Sequence, residues 1–136
     1  MSEELIKVVA AVIQLDGHYL IARRASHKSN AGQWEFPGGK LEATETPAAA
    51  LQREILEELG VNIVVKEFFD AKEHHYETVK IELSAYLAEL LDFDFKLTDH
   101  DEIRWVLPAD FSEYQFSPAD EFIIESLQSD EPYFTV

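Results

Sequence analysis

Three glutamates near the middle of the chain are the residues whose type and spacing could do chemistry. Glu54, Glu57 and Glu58 stand at positions i, i+3 and i+4, so on a helix their carboxylates share one patch of surface. Arg53 adds a single positive charge beside them and leaves the patch negative. Such a cluster of oxygen ligands suits a hard divalent cation, above all Mg²⁺, with Mn²⁺ as a second candidate. The alternative is a solvated helix face in an acidic protein.

The surrounding sequence predicts the helix that must position these carboxylates. Thr46-Pro47 is a start signal, because threonine is a good N-cap and proline is well tolerated at the first helical position. Gly60 is a stop signal, because glycine readily adopts the left-handed conformation that ends many helices. Between these signals an apolar stripe recurs every four residues, at Leu51, Ile55 and Leu59. The three carboxylates lie off this stripe.

Residues 39–61, GKLEATETPAAALQREILEELGV, resemble the Nudix box. That box reads G-x5-E-x7-R-E-U-x-E-E-x-G-U, where U is aliphatic, and every specified position matches. Residues 8–61 as a whole resemble the MutT-type branch of the family, including the ARR that ends the second predicted strand and the W-x-F-P-G-G-K segment. Residues 117–121, SPADE, resemble the start of the base-recognition helix of that branch and of its CTP-pyrophosphohydrolase relatives.

The resemblance implies a fold and an activity. The implied fold is α/β, a Nudix-type α/β/α sandwich with a mixed β-sheet, in a single Nudix hydrolase domain spanning residues 1–136. The implied activity is Mg²⁺-dependent hydrolysis of a nucleoside triphosphate to the monophosphate and pyrophosphate, with a normal or an oxidised base of the (d)CTP or 8-oxo-dGTP type. Two alternatives remain open: another substrate that contains a nucleoside diphosphate linkage, and a weakly catalytic module that binds a nucleotide.

The resemblance assigns metal binding and catalysis to carboxylates. The family's metal-binding glutamates match Glu54, Glu57 and Glu58. The region of Gly39 matches the loop that lends a backbone carbonyl to the metal. The branch supplies one more carboxylate from a loop near Trp105: Asp99 fits by its spacing from that tryptophan, and Glu102 is the rival.

The same resemblance gives roles to charged residues around the metal patch. Glu45 and Arg53 match a pair that braces the preceding loop against the helix, and we favour a purely structural salt bridge for them. Arg23 and Lys40 match cations that bind the phosphates.

Base recognition falls to two further residues. Asp120 stands where the MutT pattern has a polar residue that reads the base. An ionised aspartate accepts a hydrogen bond from an exocyclic amine such as N4 of cytosine, whereas a protonated one donates to a carbonyl. Phe36 could stack on the base or could be a core aromatic of a strand. Both possibilities stay open for each residue.

Composition and charge agree with a small cytoplasmic enzyme. A chain of 136 residues can form one domain with its own core. The absence of cysteine excludes disulfides and thiolate metal ligands. The net charge of −16 argues against a polymeric nucleic-acid partner but allows a single nucleotide bridged by Mg²⁺. The sequence shows no signal-peptide pattern and no apolar run of membrane-spanning length, so we expect no membrane partner. We also expect a monomer or a homodimer.

The remaining pattern predicts the elements around the site. Strands are expected at residues 6–15, 18–24, 34–36, 62–70, 78–87 and 103–107, the first two joined by an Asp16-Gly17 hairpin. Residues 37–40, PGGK, predict a turn whose glycines adopt backbone geometry closed to other residues. Ser117-Pro118 predicts a terminal helix over residues 119–128.

Overall fold

A mixed β-sheet between two helices forms the protein, as described by a computed structural model of residues 4–129. The strands are β1 (Glu4–Leu15), β2 (His18–Arg24), β3 (Trp34–Glu35), β4 (Gly38–Lys40), β5 (Ile63–His75), β6 (Val79–Leu90) and β7 (His100–Val106). The helices are α1 (Pro47–Leu59) and α2 (Glu121–Gln128), and two 3₁₀ turns cover Pro108–Glu113 and Pro118–Asp120. The predicted α/β fold with a mixed sheet is confirmed. The expected domain bounds, residues 1–136, extend outside the described residues.

The sheet is built around β1. Its strand order is β3-β2-β1-β6-β5, with β4 added beside β1 and β7 beside β2. β1 and β6 run parallel, whereas the other pairings among the named strands are antiparallel. The Asp16-Gly17 turn between β1 and β2 has positive φ at both residues, as the predicted hairpin requires.

Alternate side chains of β1 enter two separate cores. Val9, Ala11 and Ile13 pack against the apolar stripe of α1, where Leu51, Ile55 and Leu59 are fully buried. Ala10 and Val12 face the opposite side and join Phe111 and the α2 residues Phe122 and Ile123 in the second core. This alternation follows from the two-residue period of a strand, and it places one helix on each face of the sheet.

The first helix begins and ends where the sequence predicts. The Thr46 hydroxyl accepts a hydrogen bond from the Ala49 N–H over 3.1 Å, and Pro47 occupies the first turn. Gly60 has φ of 73° and donates its N–H to the Leu56 carbonyl, which ends the helix.

The predicted turn at residues 37–40 is wrong. Residues Gly38–Lys40 form strand β4, which pairs antiparallel with Val8, Val9 and Ala10 of β1. Neither Gly38 nor Gly39 has a positive φ. Glycine is needed here for space instead of for an unusual backbone angle, because a Cβ at Gly38 would overlap the carbonyl oxygen of Val9.

The terminal helix starts later than predicted. Residues 118–120 form a 3₁₀ turn and α2 begins at Glu121, so Asp120 stands at the N-cap position instead of inside the first α-helical turn. The Ser117 side chain makes no cap hydrogen bond among the described residues. The backbone explains this difference, since the Asp120 N–H donates to the Ser117 carbonyl over 3.0 Å and closes a tighter turn.

β2 has its predicted bounds and β3 ends one residue earlier, whereas β1, β5, β6 and β7 are longer than predicted because pairing continues past the apolar segments that indicated them. β5 and β6 pair from Ile63↔Leu90 to His75↔Lys80, which adds the largely polar residues 71–75 to the sheet. Two irregularities in β5 interrupt this ladder. Within residues 4–129, no helix combines the length and hydropathy needed to span a membrane.

Candidate active site

The three glutamates of α1 differ sharply in exposure. The Glu57 side chain is 59% exposed, Glu54 is 15% exposed and Glu58 is 6% exposed. They therefore form a path of carboxylates from the surface into the protein. Glu57 and Glu58 lie in the last turn of α1, where the helix dipole disfavours negative charge. A carboxylate cluster in this position destabilises the end of the helix. This cost indicates that the cluster has a function.

Arg53 organises the outer part of this cluster. It binds both oxygens of Glu45, through Nε over 2.7 Å and Nη2 over 2.8 Å, and Nη1 contacts Glu54 over 2.8 Å. Nη2 also donates to the Lys40 carbonyl over 3.2 Å, and Nη1 reaches Glu57 over 3.4 Å. The hydrogen bond from Arg53 lowers the pKa of Glu45. The contact expected between Glu45 and Arg53 is thus present, and it joins the β4–α1 loop to the helix.

Gly39 brings the backbone of β4 directly against Glu54. A Cβ at this position would overlap the Glu54 carboxylate. The absence of a side chain therefore lets the main chain of β4 and a glutamate of α1 lie side by side. This is the juxtaposition that a shared ligand set of a backbone carbonyl and carboxylates requires.

The loop between β6 and β7 caps the C-terminal end of α1. The Lys96 N–H donates to the Leu59 carbonyl over 2.7 Å, the Thr98 N–H donates to the Glu58 carbonyl over 3.1 Å, and the Thr98 hydroxyl donates to the Glu57 carbonyl over 3.0 Å. These bonds satisfy carbonyls that a helix end leaves free. They also deliver the next two residues, Asp99 and His100, to the side of Glu58.

Of the two expected loop carboxylates, the structure brings Asp99 near the cluster. Asp99 is close enough to Glu58 to contribute to the rise in its pKa, and it lies 3.6 Å from the Lys28 ammonium. Glu102 instead lies on β7, where it pairs with Arg104 and Arg23. Glu102 therefore stays in an ion-pair network on the strand.

Glu58 is buried beside other acids. Burial raises the pKa of Glu58 well above its usual range, and Glu54, Glu35 and Asp99 raise it further. Its Oε1 has no hydrogen-bond partner among the described residues. His100, whose side chain is fully buried, lies between Glu58 and Glu35, with Nδ1 3.8 Å from Glu58 and Nε2 2.8 Å from Glu35. Glu35, Glu58 and His100 form a group whose spacing could hold a metal ion.

The arrangement fits a divalent cation. A buried carboxylate among like charges, with one oxygen unsatisfied, is costly unless a cation or proton compensates it. The donors around it are mostly oxygens, from Glu54, Glu57, Glu58 and the β4 backbone, and hard divalent ions prefer such donors.

A cleft of about 300 Å³ opens beside the carboxylate cluster, on the side of β4 and β1. Its polar lining includes Arg24, Glu35, Lys40, Tyr76 and Asp120. Its apolar wall comes from Val8, Phe36, Ile81 and Leu83. The cleft thus combines cationic side chains with a mixed apolar and polar surface.

The cation placement differs from the prediction at one position. Arg23 does not line the cleft: its guanidinium bonds to Asp101 over 2.7 Å and lies 5.7 Å from the centre of the Trp34 ring. The next residue, Arg24, lines the cleft and contacts Glu35 over 3.7 Å. Adjacent residues of a strand face opposite sides, so the choice within an Arg-Arg pair depends on a register that the sequence pattern did not settle. Lys40, the other cation predicted to bind the phosphates, lines the cleft.

Asp120 and Phe36 contact each other in the lining of the cleft. The Asp120 Oδ2 accepts the Phe36 N–H over 2.7 Å, which fixes the carboxyl group. Burial raises the pKa of Asp120 to about 8, Glu35 adds to the rise, and the bond from Phe36 opposes it. The Phe36 ring is buried and lies 5.9 Å from the Phe116 ring in a stacked arrangement. Phe36 is therefore a core aromatic whose edge borders the cleft.

Four residues of the site were missed by sequence reasoning: Arg24, Glu35, Tyr76 and His100. Glu35 alternates with two aromatic residues on a short strand, and that pattern could have indicated a polar face opposite the core. His100 follows Asp99 directly, and no local pattern distinguishes a fully buried histidine from a loop residue. Tyr76 enters the cleft only because the β5–β6 connection folds back, with its N–H donating to the Val79 carbonyl over 2.8 Å.

Comparisons with known proteins agree with this geometry. The family described as "NUDIX domain" matches residues 8–126. A CTP pyrophosphohydrolase from Escherichia coli is 33% identical over 126 residues, which cover 93% of this chain and 93% of that protein. An 8-oxo-dGTP diphosphatase from Haemophilus influenzae is 33% identical over 129 residues, which cover 93% of this chain and 94% of that protein.

A solved structure extends the similarity to three dimensions. The solution structure of the Escherichia coli ORF135 protein superposes with a TM-score of 0.80 at 33% sequence identity. The superposition covers 97% of this chain and 96% of that one. The similarity therefore includes both faces of the sheet and the loop that carries Asp99.

Proposed function

The chain belongs to the Nudix family, and from this premise we propose that it is a MutT-like hydrolase of phosphoric anhydrides that cleaves a nucleoside triphosphate to the monophosphate and pyrophosphate. One observation carries the proposal: Glu54, one of the three glutamates of α1, lies against the backbone of Gly39, and Gly39 lines a cleft together with Arg24 and Lys40. Relatives named as CTP pyrophosphohydrolase and 8-oxo-dGTP diphosphatase support the same reaction class.

We propose Mg²⁺ as the cofactor, with Mn²⁺ as a substitute. The ligands would be carboxylate oxygens of Glu54, Glu57 and Glu58 and the carbonyl of Gly39, a set of hard donors. An ion held by these ligands would supply neutralisation of the phosphate charge and a more acidic water. Arg53 holds Glu54 and the Lys40 carbonyl in fixed positions, so the ligand set is preorganised before an ion arrives.

The protein groups around the cluster perform the remaining tasks. Lys40 and Arg24, both on the cleft wall, are positioned to bind the phosphates as charged donors. Glu57, the most exposed of the three glutamates, is best placed to exchange a proton with solvent. Asp99 is the second candidate for the general base, because it lies in the loop beside Glu58. Phosphoryl chemistry needs mainly positioning and charge stabilisation, which is what these residues supply.

Asp120 is the proposed reader of the base. With a pKa of about 8, its carboxyl group is mostly protonated at neutral pH in the nucleotide-free protein. One oxygen accepts the Phe36 N–H, so the group can present a hydroxyl donor to a carbonyl of the base. An ionised Asp120 would instead accept from an exocyclic amine. The protonated form favours bases with a carbonyl at the edge facing Asp120.

We further propose that residues 1–136 act as a single domain, located in the cytoplasm where nucleoside triphosphates are made and used. Nucleotide pool sanitation is the corresponding role. Both a monomer and a homodimer are compatible with a site whose described residues come from one chain. Size-exclusion chromatography with light scattering separates these two states.

A nucleotide panel tests the proposal. Purified protein is incubated with Mg²⁺ and each of the normal and oxidised triphosphates, and the products are separated by ion-exchange chromatography. We expect monophosphate and pyrophosphate in equal amounts. Diphosphate with orthophosphate would contradict the proposed cleavage position, and binding without turnover across the panel would favour the nucleotide-binding alternative.

A further inference from the structure

Two polar atoms face each other inside the protein without a hydrogen bond. Oε1 of Glu58 and Nδ1 of His100 are 3.8 Å apart, and their side chains are 6% and 0% exposed. Neither atom has a hydrogen-bond partner among the described residues. Buried polar atoms are normally satisfied, so this gap calls for an occupant.

Glu35 determines which atom of His100 points into the gap. His100 Nε2 lies 2.8 Å from Glu35 Oε2. A carboxylate oxygen accepts a hydrogen bond from an imidazole N–H, so this contact favours the tautomer with the hydrogen on Nε2, in which the lone pair of Nδ1 is directed at Glu58. A histidine that donates its other N–H to a carboxylate is the arrangement that usually stands behind a metal-binding imidazole.

The charge around the gap also favours a cation. Glu54, Glu35 and Asp99 all lie close enough to act electrostatically on Glu58. A carboxyl oxygen and an imidazole nitrogen that face each other in such surroundings need a positive species between them, and a metal ion can take the place of a proton there. The separation is suitable, because zinc-like ions bind nitrogen and carboxylate oxygen at about 2.0–2.2 Å and can bridge atoms 3.8 Å apart.

We propose that Glu58 and His100, supported by Glu35, form a buried site for a divalent cation that accepts nitrogen ligands, such as Co²⁺ or Zn²⁺. This site is separate from the all-oxygen set of Glu54, Glu57 and Gly39, although the two share Glu58. Imidazole nitrogen selects these ions over Mg²⁺, which prefers oxygen. The protein therefore distinguishes two classes of divalent ion at neighbouring positions.

Cobalt binding to the nucleotide-free, full-length protein tests this site. We expect Co²⁺ to produce a visible absorption band and a hyperfine-shifted exchangeable proton in the NMR spectrum, from the His100 Nε2–H. The substitution His100→Gln should remove the shifted proton and weaken Co²⁺ binding at least about tenfold, while Glu35→Gln, which removes a supporting carboxylate, should weaken it roughly 10–100-fold. His75→Gln is the matched control, because His75 also faces a glutamate, Glu73, but is 56% exposed, and it should change neither signal.

Two results would overturn the proposal. One is a wild-type spectrum in which Co²⁺ shifts no exchangeable imidazole proton, which indicates water in the gap. The other is Co²⁺ binding that is equal in wild type and a folded His100→Gln protein. If His100→Gln does not fold, as judged by circular dichroism, the wild-type spectrum alone decides. The readout uses neither substrate nor turnover, so its failure is distinct from a failure of the proposed hydrolase activity.

Discussion

Arg53 binds Glu45 through two parallel hydrogen bonds, Nε to Oε2 over 2.7 Å and Nη2 to Oε1 over 2.8 Å. The same guanidinium contacts Glu54 and the carbonyl of Lys40. A lysine cannot reproduce this planar, multiple contact, since its ammonium is a point charge on a flexible stem. The Arg53 guanidinium therefore contacts both the strand before α1 and the helix itself.

The substitution Arg53→Lys should therefore have a larger effect on turnover than on the stability of the fold. We expect kcat to fall by roughly 10- to 100-fold, because a small displacement of catalytic groups has effects of that size, together with a higher Mg²⁺ concentration for half-maximal activity. Steady-state kinetics across a Mg²⁺ titration measures both. Arg104→Lys is the control, since Arg104 is exposed and pairs with Glu102 away from the cleft. Equal kinetics in the two variants would show that Arg53 does not position the metal ligands.

The substitution Glu57→Gln should abolish most activity without affecting the fold. Glu57 is 59% exposed and its closest ion pair is the 3.4 Å contact with Arg53, so its loss costs little stability. As a metal ligand or proton acceptor, however, it should contribute roughly a 10²–10⁴-fold effect on kcat. Glu89→Gln, on a residue that is 66% exposed and paired with Lys66, is the matched control. Near-wild-type turnover of Glu57→Gln at saturating Mg²⁺ would refute the assignment.

Alanine substitutions at the two adjacent glycines of β4 should have different effects. In Gly39→Ala the new methyl group displaces the Glu54 carboxylate, which is the mobile end of a side chain, so the protein should fold but bind Mn²⁺ more weakly. In Gly38→Ala it meets the backbone of β1 at Val9 and Ala10, which cannot move without breaking the β4–β1 pairing, so the melting temperature should fall. Thermal melts and Mn²⁺ titration by electron paramagnetic resonance separate the two effects. A Gly39→Ala protein with unchanged Mn²⁺ affinity would contradict the proposed ligand set.

The substitution Asp120→Asn should stabilise the protein in a pH-dependent manner. The pKa of Asp120 rises from 3.8 to about 8 on folding, so the destabilising contribution of this one residue is absent below about pH 4 and grows until the folded carboxyl has titrated. Asparagine resembles the protonated acid and carries no such penalty. The stability difference in favour of the variant should therefore grow between about pH 4 and 8, reaching on the order of a few kcal/mol, and level off above pH 8. Urea denaturation at several pH values measures it, and a difference independent of pH would exclude a buried, titrating Asp120.

Base selection should depend on the same residue. The substitution Asp120→Ala should raise KM for the preferred nucleotide and reduce the differences in kcat/KM among the bases. Its effect on kcat should be smaller than that of Glu57→Gln. The reason is that a site built around a buried polar group rejects bases that leave the group unpaired. Values of kcat/KM across the nucleotide panel provide the measurement. If the variant keeps the wild-type ranking and ratios, Asp120 is a structural residue that positions Phe36.

The sequence predicted those parts of the site that are local in the chain. Thr46, Gly60 and the stripe through Leu51 define α1 by capping and periodicity, and its carboxylates follow at fixed spacing. The pattern of residues 78–87 likewise predicted a strand, and Leu83, Ala85 and Leu87 of β6 are buried in one core. In such cases the interactions that decide the structure lie within a few residues of each other.

The parts that could not be predicted depend on contacts between distant segments. Arg23 and Arg24 have the same side chain, and only the pairing of β2 with β3 and β7 determines which of them lines the cleft. The burial of His100 depends on the preceding loop binding the end of α1. The extended form of Gly38–Lys40 depends on β1 as its partner. No local propensity encodes any of these contacts.

The parallel pairing of β1 with β6 has a consequence for how the chain reaches this structure. Partners run from Glu4 and Val79 to Ile13 and Ala88, so each pair joins residues separated by more than half of the chain. On a ribosome, β1 emerges early and can form only its hairpin with β2 and its short ladder with β4. One edge of the central strand therefore stays open until β6 has been synthesised. Nascent chains that end before residue 79 should be the species that chaperones bind, and the carboxylate cluster becomes complete only after the loop to β7 has followed.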